Sequence, residues 1–155
     1  MNKLYFLLLP LIVISCSKEI SDDRLVERNG LYYEINSENP YTGYVKNYHR
    51  NGQKSFEGYF KDGQKQGVHN LYDSNGYLIQ SIIFQGDNFF SEKFHKNGEL
   101  SSQISGDSTQ IKTYIEIVYD ETGKIIHCKT FGLPNLNHNY CKKILKKERE
   151  TFKNT

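Results

Sequence analysis

Histidine is a common metal ligand, but the spacing of the histidines in this chain argues against that role. The five histidines are His49, His69, His95, His127 and His138. His49 and His95 occupy equivalent positions of a sequence repeat, two repeat units apart, which would separate them by roughly 19 Å in one sheet. Zinc ligands must instead all lie within about 2.3 Å of the ion. The sequence therefore predicts no metal site.

Catalytic arrangements of other residue types are not visible either. No serine lies in a Gly-x-Ser-x-Gly elbow, and no glycine-rich phosphate loop precedes a helix. Asp22 and Asp23 fall in a segment that we interpret as a solvated linker. Glu57, Asp87 and Glu116 could act as general acids only with a partner that the sequence does not identify. We predict that the protein is not an enzyme and has no cofactor.

Cys16 is the cysteine for which the sequence predicts a chemical modification. Lys3 precedes an apolar run over residues 4–14, followed by Ser15 and Cys16. This pattern predicts a secretion signal over residues 1–15, and the run is too short to span a bilayer, which takes about 20 residues. Val13-Ile14-Ser15-Cys16 resembles the lipobox of bacterial lipoproteins, which implies that Cys16 is lipidated. The alternative is an ordinary cleaved signal with a coincidental cysteine.

This resemblance implies a location in the cell envelope. Lipidation would anchor the chain to a membrane, because two or more acyl chains give stable attachment. Ser17 follows the cysteine where an aspartate would favour the inner membrane in enteric bacteria, so we expect the outer membrane. A nucleic-acid partner is not expected for an exported protein. Residues 16–25 are interpreted as the lipidated terminus and a linker.

The other two cysteines, Cys128 and Cys141, can be read in two ways. An even pair in an exported protein is compatible with a disulfide. The alternative is two reduced, buried thiols.

A periodic glycine is the strongest internal pattern. The recurring glycines are Gly30, Gly52, Gly76, Gly98 and Gly123. The first four follow asparagine, and an aromatic residue precedes the last four by four positions. Self-similarity at a nearly fixed period indicates a repeat architecture. Asn-Gly between aromatic-rich runs favours a hairpin with a type I′ turn, which needs positive φ at both central residues.

Each repeat unit is thus predicted to be two short antiparallel strands. The predicted strands span residues 43–48, 53–60, 67–72, 77–84, 89–94, 99–104, 110–119 and 124–131. Twelve tyrosines and nine phenylalanines without tryptophan favour β-structure, whereas a hydrophobic content of 37% argues against a thick two-layer core. The expected fold is all-β: an elongated antiparallel meander of repeated hairpins forming an open sheet, with a short C-terminal helix.

Residues 48–54, 72–78 and 94–100 resemble the MORN-variant repeat, named after the membrane occupation and recognition nexus. In that family an aromatic residue, two or three polar residues and Asn-Gly precede Lys or Leu. The segment 63–67 echoes its second signature, Gly-x-x-x-Gly. The resemblance covers residues 26–131 and implies an open sheet of hairpins. Many bacterial members are labelled antitoxins, which implies an alternative function in neutralising a toxin partner.

The aromatic residues could serve the core or a ligand. Tyr48, Tyr72 and Phe94 hold equivalent positions in successive units, about 10 Å apart along one row. Such a row suits an extended ligand or a partner strand, although the same rings could simply stack to hold the sheet together. A single-layer sheet cannot hide both faces, so we expect an exposed aromatic patch.

The C-terminal region, residues 132–155, reads as a loop and a basic helical tail. From residue 142 onward there are six basic and two acidic side chains. This charge could attract an acidic partner or an anionic membrane, or it could belong to a solvated helix. Taken together, the sequence predicts a membrane-anchored envelope lipoprotein whose non-catalytic β-repeat surface binds a protein or glycan partner.

Overall fold

The computed structural model describes residues 18–107, 114–131 and 138–153. The protein is mostly β-structure, with one long open sheet of nine strands and a C-terminal helix. This confirms the expected fold class. The predicted signal at residues 1–15 and the predicted lipidation site Cys16 lie outside the described residues.

The sheet follows chain order with one exception at its edge. The strands are β1 Glu19–Ile20, β2 Leu25–Arg28, β3 Leu31–Glu34, β4 Gly43–Tyr48, β5 Lys54–Lys61, β6 Gln64–Tyr72, β7 Leu78–Gln85, β8 Asn88–Phe94, β9 Leu100–Asp107, β10 Tyr114–Tyr119 and β11 Ile125–Phe131, and the helix α1 is His138–Lys153. Strands β4 to β11 form an antiparallel meander, and β2 and β3 form a separate hairpin. Strand β1 adds to β4 in parallel.

Residues 16–25 were expected to be a lipidated terminus and a linker, and the parallel strand β1 corrects this expectation. The carbonyl oxygen of Lys18 accepts hydrogen bonds from the Tyr44 amide at 2.8 Å and from the Tyr41 hydroxyl at 3.2 Å. A parallel pair needs a long crossover connection, which here contains the β2–β3 hairpin. Pairing between residues so far apart leaves no local sequence pattern. Residues 18–25 therefore belong to the folded body.

The hairpin turns at Asn51-Gly52, Asn75-Gly76 and Asn97-Gly98 occur at the expected positions but with a different geometry. Gly52 has a φ of 82°, and Asn51 is not among the residues with positive φ. The Gly52 amide donates to the His49 carbonyl at 2.9 Å, and the His49 amide donates to the Gln53 carbonyl at 2.8 Å. This is a three-residue loop that ends in a left-handed glycine, so the expected type I′ turn is wrong here.

A side-chain oxygen in the loop explains this choice of turn: asparagine supplies it at Asn51 and Asn97, and Asp73 supplies it before Asn75, whose amide donates to Asp73 Oδ1 at 2.8 Å. Asn51 Oδ1 accepts a hydrogen bond from the Gln53 amide at 3.1 Å, and Asn97 Oδ1 accepts one from the Glu99 amide at 3.0 Å. Asparagine commonly bonds the backbone two residues ahead and thereby mimics a turn. Two-residue turns with both φ values positive occur instead at 29–30 and 62–63. Local side-chain bonding thus decides between two hairpin types that the dipeptide alone does not distinguish.

The two faces of the sheet follow from the strand register. We call the face that α1 covers the front face and the opposite one the back face. One continuous cross-strand row on the front face is Lys46, Glu57, Asn70, Ser81, Glu92, Gln103, Ile117 and Cys128. A single-layer sheet therefore has two surfaces, and the apolar side chains of each surface can be buried only by elements that pack on that same face.

Among the described residues, each half of the sheet has a hydrophobic core on one face. On the back face of the first strands, the core contains Tyr41, Val45 and Phe60, against which Tyr32 of the β2–β3 hairpin packs. On the front face of the last strands, the core is built from Phe90, Ile115, Ile117, Tyr119, Cys141 and Leu145. Two small cores on opposite faces suit a chain with few hydrophobic residues.

A disulfide fixes the helix to the sheet. Cys128 of β11 and Cys141 of α1 are bonded, with their Cα atoms 6.7 Å apart. The two cysteines were expected to be either a disulfide or two reduced, buried thiols, and the structure shows the disulfide.

Candidate functional site

The front face of β4 to β7 carries an apolar patch that α1 does not reach. Register places Tyr44 opposite Tyr59, and Val68 opposite Ile83. These four residues form what we call the open front patch. Tyr44 is 44% exposed and Val68 51% exposed, while Tyr59 and Ile83 are half-buried. Exposed apolar patches of this kind are typical of interaction surfaces.

The patch ends where the helix begins to cover the sheet. Ile83 lies opposite Phe90 on β8, and the Phe90 ring stacks on Phe152 of α1 with ring centroids 6.1 Å apart. The main contacts of α1 are with β8 to β11. The open front patch is therefore a continuation of the helix-covered core onto strands whose front face is not covered by any element that the structure describes. The rings of Tyr44 and Tyr59 stiffen its far end, with centroids 5.0 Å apart.

A polar network borders the patch. Lys54 Nζ lies 2.7 Å from Glu57 Oε2, and the Tyr72 hydroxyl donates to Glu57 Oε1 at 2.6 Å. The hydrogen bond from Lys54, followed by that from Tyr72, holds the pKa of Glu57 below its usual value. A general acid needs the opposite shift, so this carboxylate lacks the raised pKa that general-acid catalysis requires. Glu57 instead positions the tyrosine and lysine beside the patch.

The predicted aromatic row is in register but is not uniform. Tyr48, Tyr72 and Phe94 each end the first strand of a hairpin, as expected. Tyr48 is 58% exposed, whereas Tyr72 and Phe94 are half-buried. The Tyr72 hydroxyl is bonded to Glu57, and Lys54 Nζ faces its ring at 5.7 Å. Tyr48 is thus the most exposed ring of the three.

Sequence reasoning missed Val68 as a member of a binding face, and it did not single out Tyr44 and Tyr59 from the other aromatic residues that could serve either the core or a ligand. The signal was present as strand alternation. Tyr44 and Tyr59 occupy front positions of their strands, and each directly precedes a buried residue on the same strand, Val45 and Phe60 respectively. Strand alternation gives two faces, but it does not tell which face stays uncovered. That depends on where α1 docks.

Histidines link neighbouring hairpin loops. His49 Nε2 lies 2.9 Å from the Tyr72 carbonyl oxygen, and His95 Nε2 lies 3.1 Å from the Tyr119 carbonyl oxygen. Asparagines repeat the link, because Asn51 Nδ2 donates to the Ser74 carbonyl oxygen and Asn97 Nδ2 to that of Glu121. The true structural unit is therefore a pair of hairpins. The sequence contains a signal for this pairing of hairpins, because histidine and aspartate alternate at the first positions of successive hairpin loops.

Among the histidines whose side-chain burial the structure describes, His69 is the fully buried one, and it also has a structural role. It is 2% exposed and packs among Phe56, Phe60 and Phe84. Its Nε2 donates to the Tyr59 carbonyl oxygen at 2.9 Å, and burial lowers its pKa to about 4. Within the described ranges, no three His, Cys, Asp or Glu side chains converge as metal ligands would.

Comparison with known proteins adds no family assignment. No protein-family model matches the chain. The search of curated proteins also finds no match. Of the helical residues that the structure describes, none belongs to a helix long and apolar enough to cross a membrane.

Proposed function

We propose that this protein is a lipid-anchored envelope protein whose open front patch binds a protein or glycan partner without catalysing a reaction. The observation that carries the proposal is the uncovered apolar surface of Tyr44, Tyr59, Val68 and Ile83, which the polar network of Lys54 and Glu57 borders. Apolar centres with polar rims are typical of binding surfaces. Neutralisation of a toxin stays a prediction of the MORN-variant resemblance alone.

The anchor proposal has a geometric consequence. Only Ser17 separates Cys16 from Lys18, whose carbonyl oxygen is already bonded to β4 and to Tyr41. A lipid on Cys16 would therefore hold the β1 end of the sheet close to the bilayer. Strand β11 would lie eight strand spacings away, about 38 Å across the sheet.

Location is tested with Cys16→Ser. We expect the wild-type chain in the membrane fraction and the variant either released or left with its signal uncleaved. A Cys16→Ser chain that is still cleaved and still fractionates with membranes would rule out the lipoprotein proposal.

Binding is tested with a charge placed in the patch. Val68→Lys puts a cation at the centre of the open front patch, and Ile126→Lys is the matched control because Ile126 is a 59% exposed β-branched residue on β11. Wild type and both variants serve as bait for membrane extracts, with capture quantified by mass spectrometry. We expect one partner to be lost with Val68→Lys and retained with Ile126→Lys. Equal capture by all three chains would contradict the proposed face.

A further inference from the structure

A basic groove lies between α1 and the front face of β9 and β10, apart from the open front patch. Its volume is about 490 Å³. Three lysines and one arginine of the helix line it, together with an apolar and aromatic floor from the sheet; the principal residues are Lys142, Lys143, Lys146, Arg149, Leu100 and Tyr119. Small-ligand pockets commonly have volumes between about 300 and 1,000 Å³.

Helical periodicity explains why the cations gather on one side of the groove. Lys142, Lys146 and Arg149 are spaced by four and three residues and therefore share one face of α1. The adjacent face holds Cys141 and Leu145, which are buried against the sheet. Packing of the apolar face thus directs the basic face along the edge of the helix, above the floor.

The helix is fastened near both ends of this groove. The disulfide from Cys141 holds its first turns to β11. Arg149 Nε lies 3.1 Å from Glu92 Oε1 and holds the later turns to β8. The groove between these two attachments is therefore a fixed feature of the fold, with its lysines held above Leu100 and Tyr119.

The groove has an excess of positive charge. Glu92, the acid beside it, is bonded by Arg149 and by Gln103 Nε2 at 2.9 Å. Lys142, Lys143 and Lys146 take part in none of the ion pairs among the described residues. Like charges gathered at a low-dielectric wall raise the local concentration of anions.

We propose that this groove binds a phosphate ester, with the phosphate against the three lysines and an attached apolar group on Leu100 and Tyr119. A phosphate monoester carries nearly two negative charges and three acceptor oxygens, and a lipid phosphodiester such as phosphatidylglycerol carries one negative charge, so the three ammonium groups complement both kinds of ester. Lysine binds phosphate as a point charge and needs no planar geometry. The ester could be a soluble metabolite or a lipid headgroup. The site is independent of the open front patch and of its proposed function.

Isothermal titration calorimetry of the full chain in a neutral detergent tests the site. The soluble probe is phenyl phosphate, with inorganic phosphate as the probe that lacks the apolar group. The lipid probe is phosphatidylglycerol mixed into the micelles, with phosphatidylcholine as its neutral counterpart. The variant is Lys143→Gln with Lys146→Gln, and the control is Lys147→Gln, because Lys147 is an exposed lysine of α1 that does not line the groove.

We expect phenyl phosphate to bind more tightly than inorganic phosphate, and the double variant to weaken it by about tenfold or more. Lys147→Gln should change the affinity by less than about twofold, as expected for a charge outside the site. Binding of phosphatidylglycerol alone, lost in the double variant, would support the site and identify a lipid as its ligand. The proposal is overturned if neither phosphate ester binds, if the control weakens binding as much as the double variant, or if inorganic phosphate binds as well as phenyl phosphate.

Discussion

The imidazole of His69 lies directly against the backbone of Gly58 on the neighbouring strand. A Cβ atom built on Gly58 would come within 2.4 Å of His69 Nδ1. The absence of a side chain at Gly58 therefore creates the space in which the buried histidine sits. Three phenylalanine rings close this space: Phe56, Phe60 and Phe84.

Gly58→Ala is expected to destabilise the protein although Gly58 does not have a positive φ. The added methyl group collides with a buried ring, and overpacking of this kind costs about 1–3 kcal/mol. Urea unfolding of wild type and variant measures the loss. Gly58→Ala combined with His69→Ala provides the control, because the methyl group should then fit. Strict additivity of the two losses would contradict a direct collision.

Stability is expected to fall as the pH drops from about 6.5 to about 4. Burial lowers the pKa of His69 to about 4, whereas the unfolded chain takes up this proton near pH 6.5. The unfolded state binds more protons in this window, so the free energy of unfolding decreases with falling pH, by up to about 3 kcal/mol. His69→Phe should flatten the dependence between pH 4 and pH 6.5.

Asp120 acts in a separate window at lower pH. The hydrogen bond from the Thr122 side chain, supported by the Lys124 amide, holds the pKa of Asp120 below its usual 3.8. The contribution of Asp120 to the free energy of unfolding is present above pH 3.8 and is lost as the pH falls below that value. If the His69→Phe variant still loses the full amount of stability between pH 6.5 and pH 4, another titrating group is responsible for that loss.

Reduction of the Cys128–Cys141 disulfide is expected to loosen α1 from the sheet. The bond closes a loop with a sequence separation of 13 residues, for which removal costs about 3 kcal/mol. Thermal unfolding of the Cys128→Ser, Cys141→Ser double variant measures this loss, and limited proteolysis reports release of the helix. Equal melting temperatures with and without the bond would contradict the role assigned to it.

Alanine at Tyr72 and at Tyr48 should have different effects. Tyr72 is half-buried and bonded to Glu57, so Tyr72→Ala should cost about 3 kcal/mol. Tyr48 is 58% exposed, so Tyr48→Ala should change stability by less than about 0.5 kcal/mol. Chemical denaturation compares the two. Similar losses at both positions would indicate that the aromatic row is structural throughout.

The amino-acid sequence alone determined the meander. The strands β4 to β11 agree with the predicted spans within a few residues, because alternation, recurring glycine and short loops are local signals. Hairpins pair neighbouring segments, so local patterns are enough to set their order. The sequence also contained the alternation of histidine and aspartate at the starts of the hairpin loops. Only the hydrogen bonds of His49 and His95 show that this alternation pairs the hairpins two by two.

Tertiary structure alone decided which surfaces are covered. The parallel pairing of Glu19–Ile20 with β4, the space for His69 beside Gly58 and the position of α1 all join residues far apart in the chain. A strand alternates in the same way whether or not a helix covers one of its faces. The docking of α1 across β8 to β11 therefore determined both candidate surfaces, because it leaves the patch around Val68 uncovered and places Lys142, Lys143 and Lys146 above the floor of the basic groove.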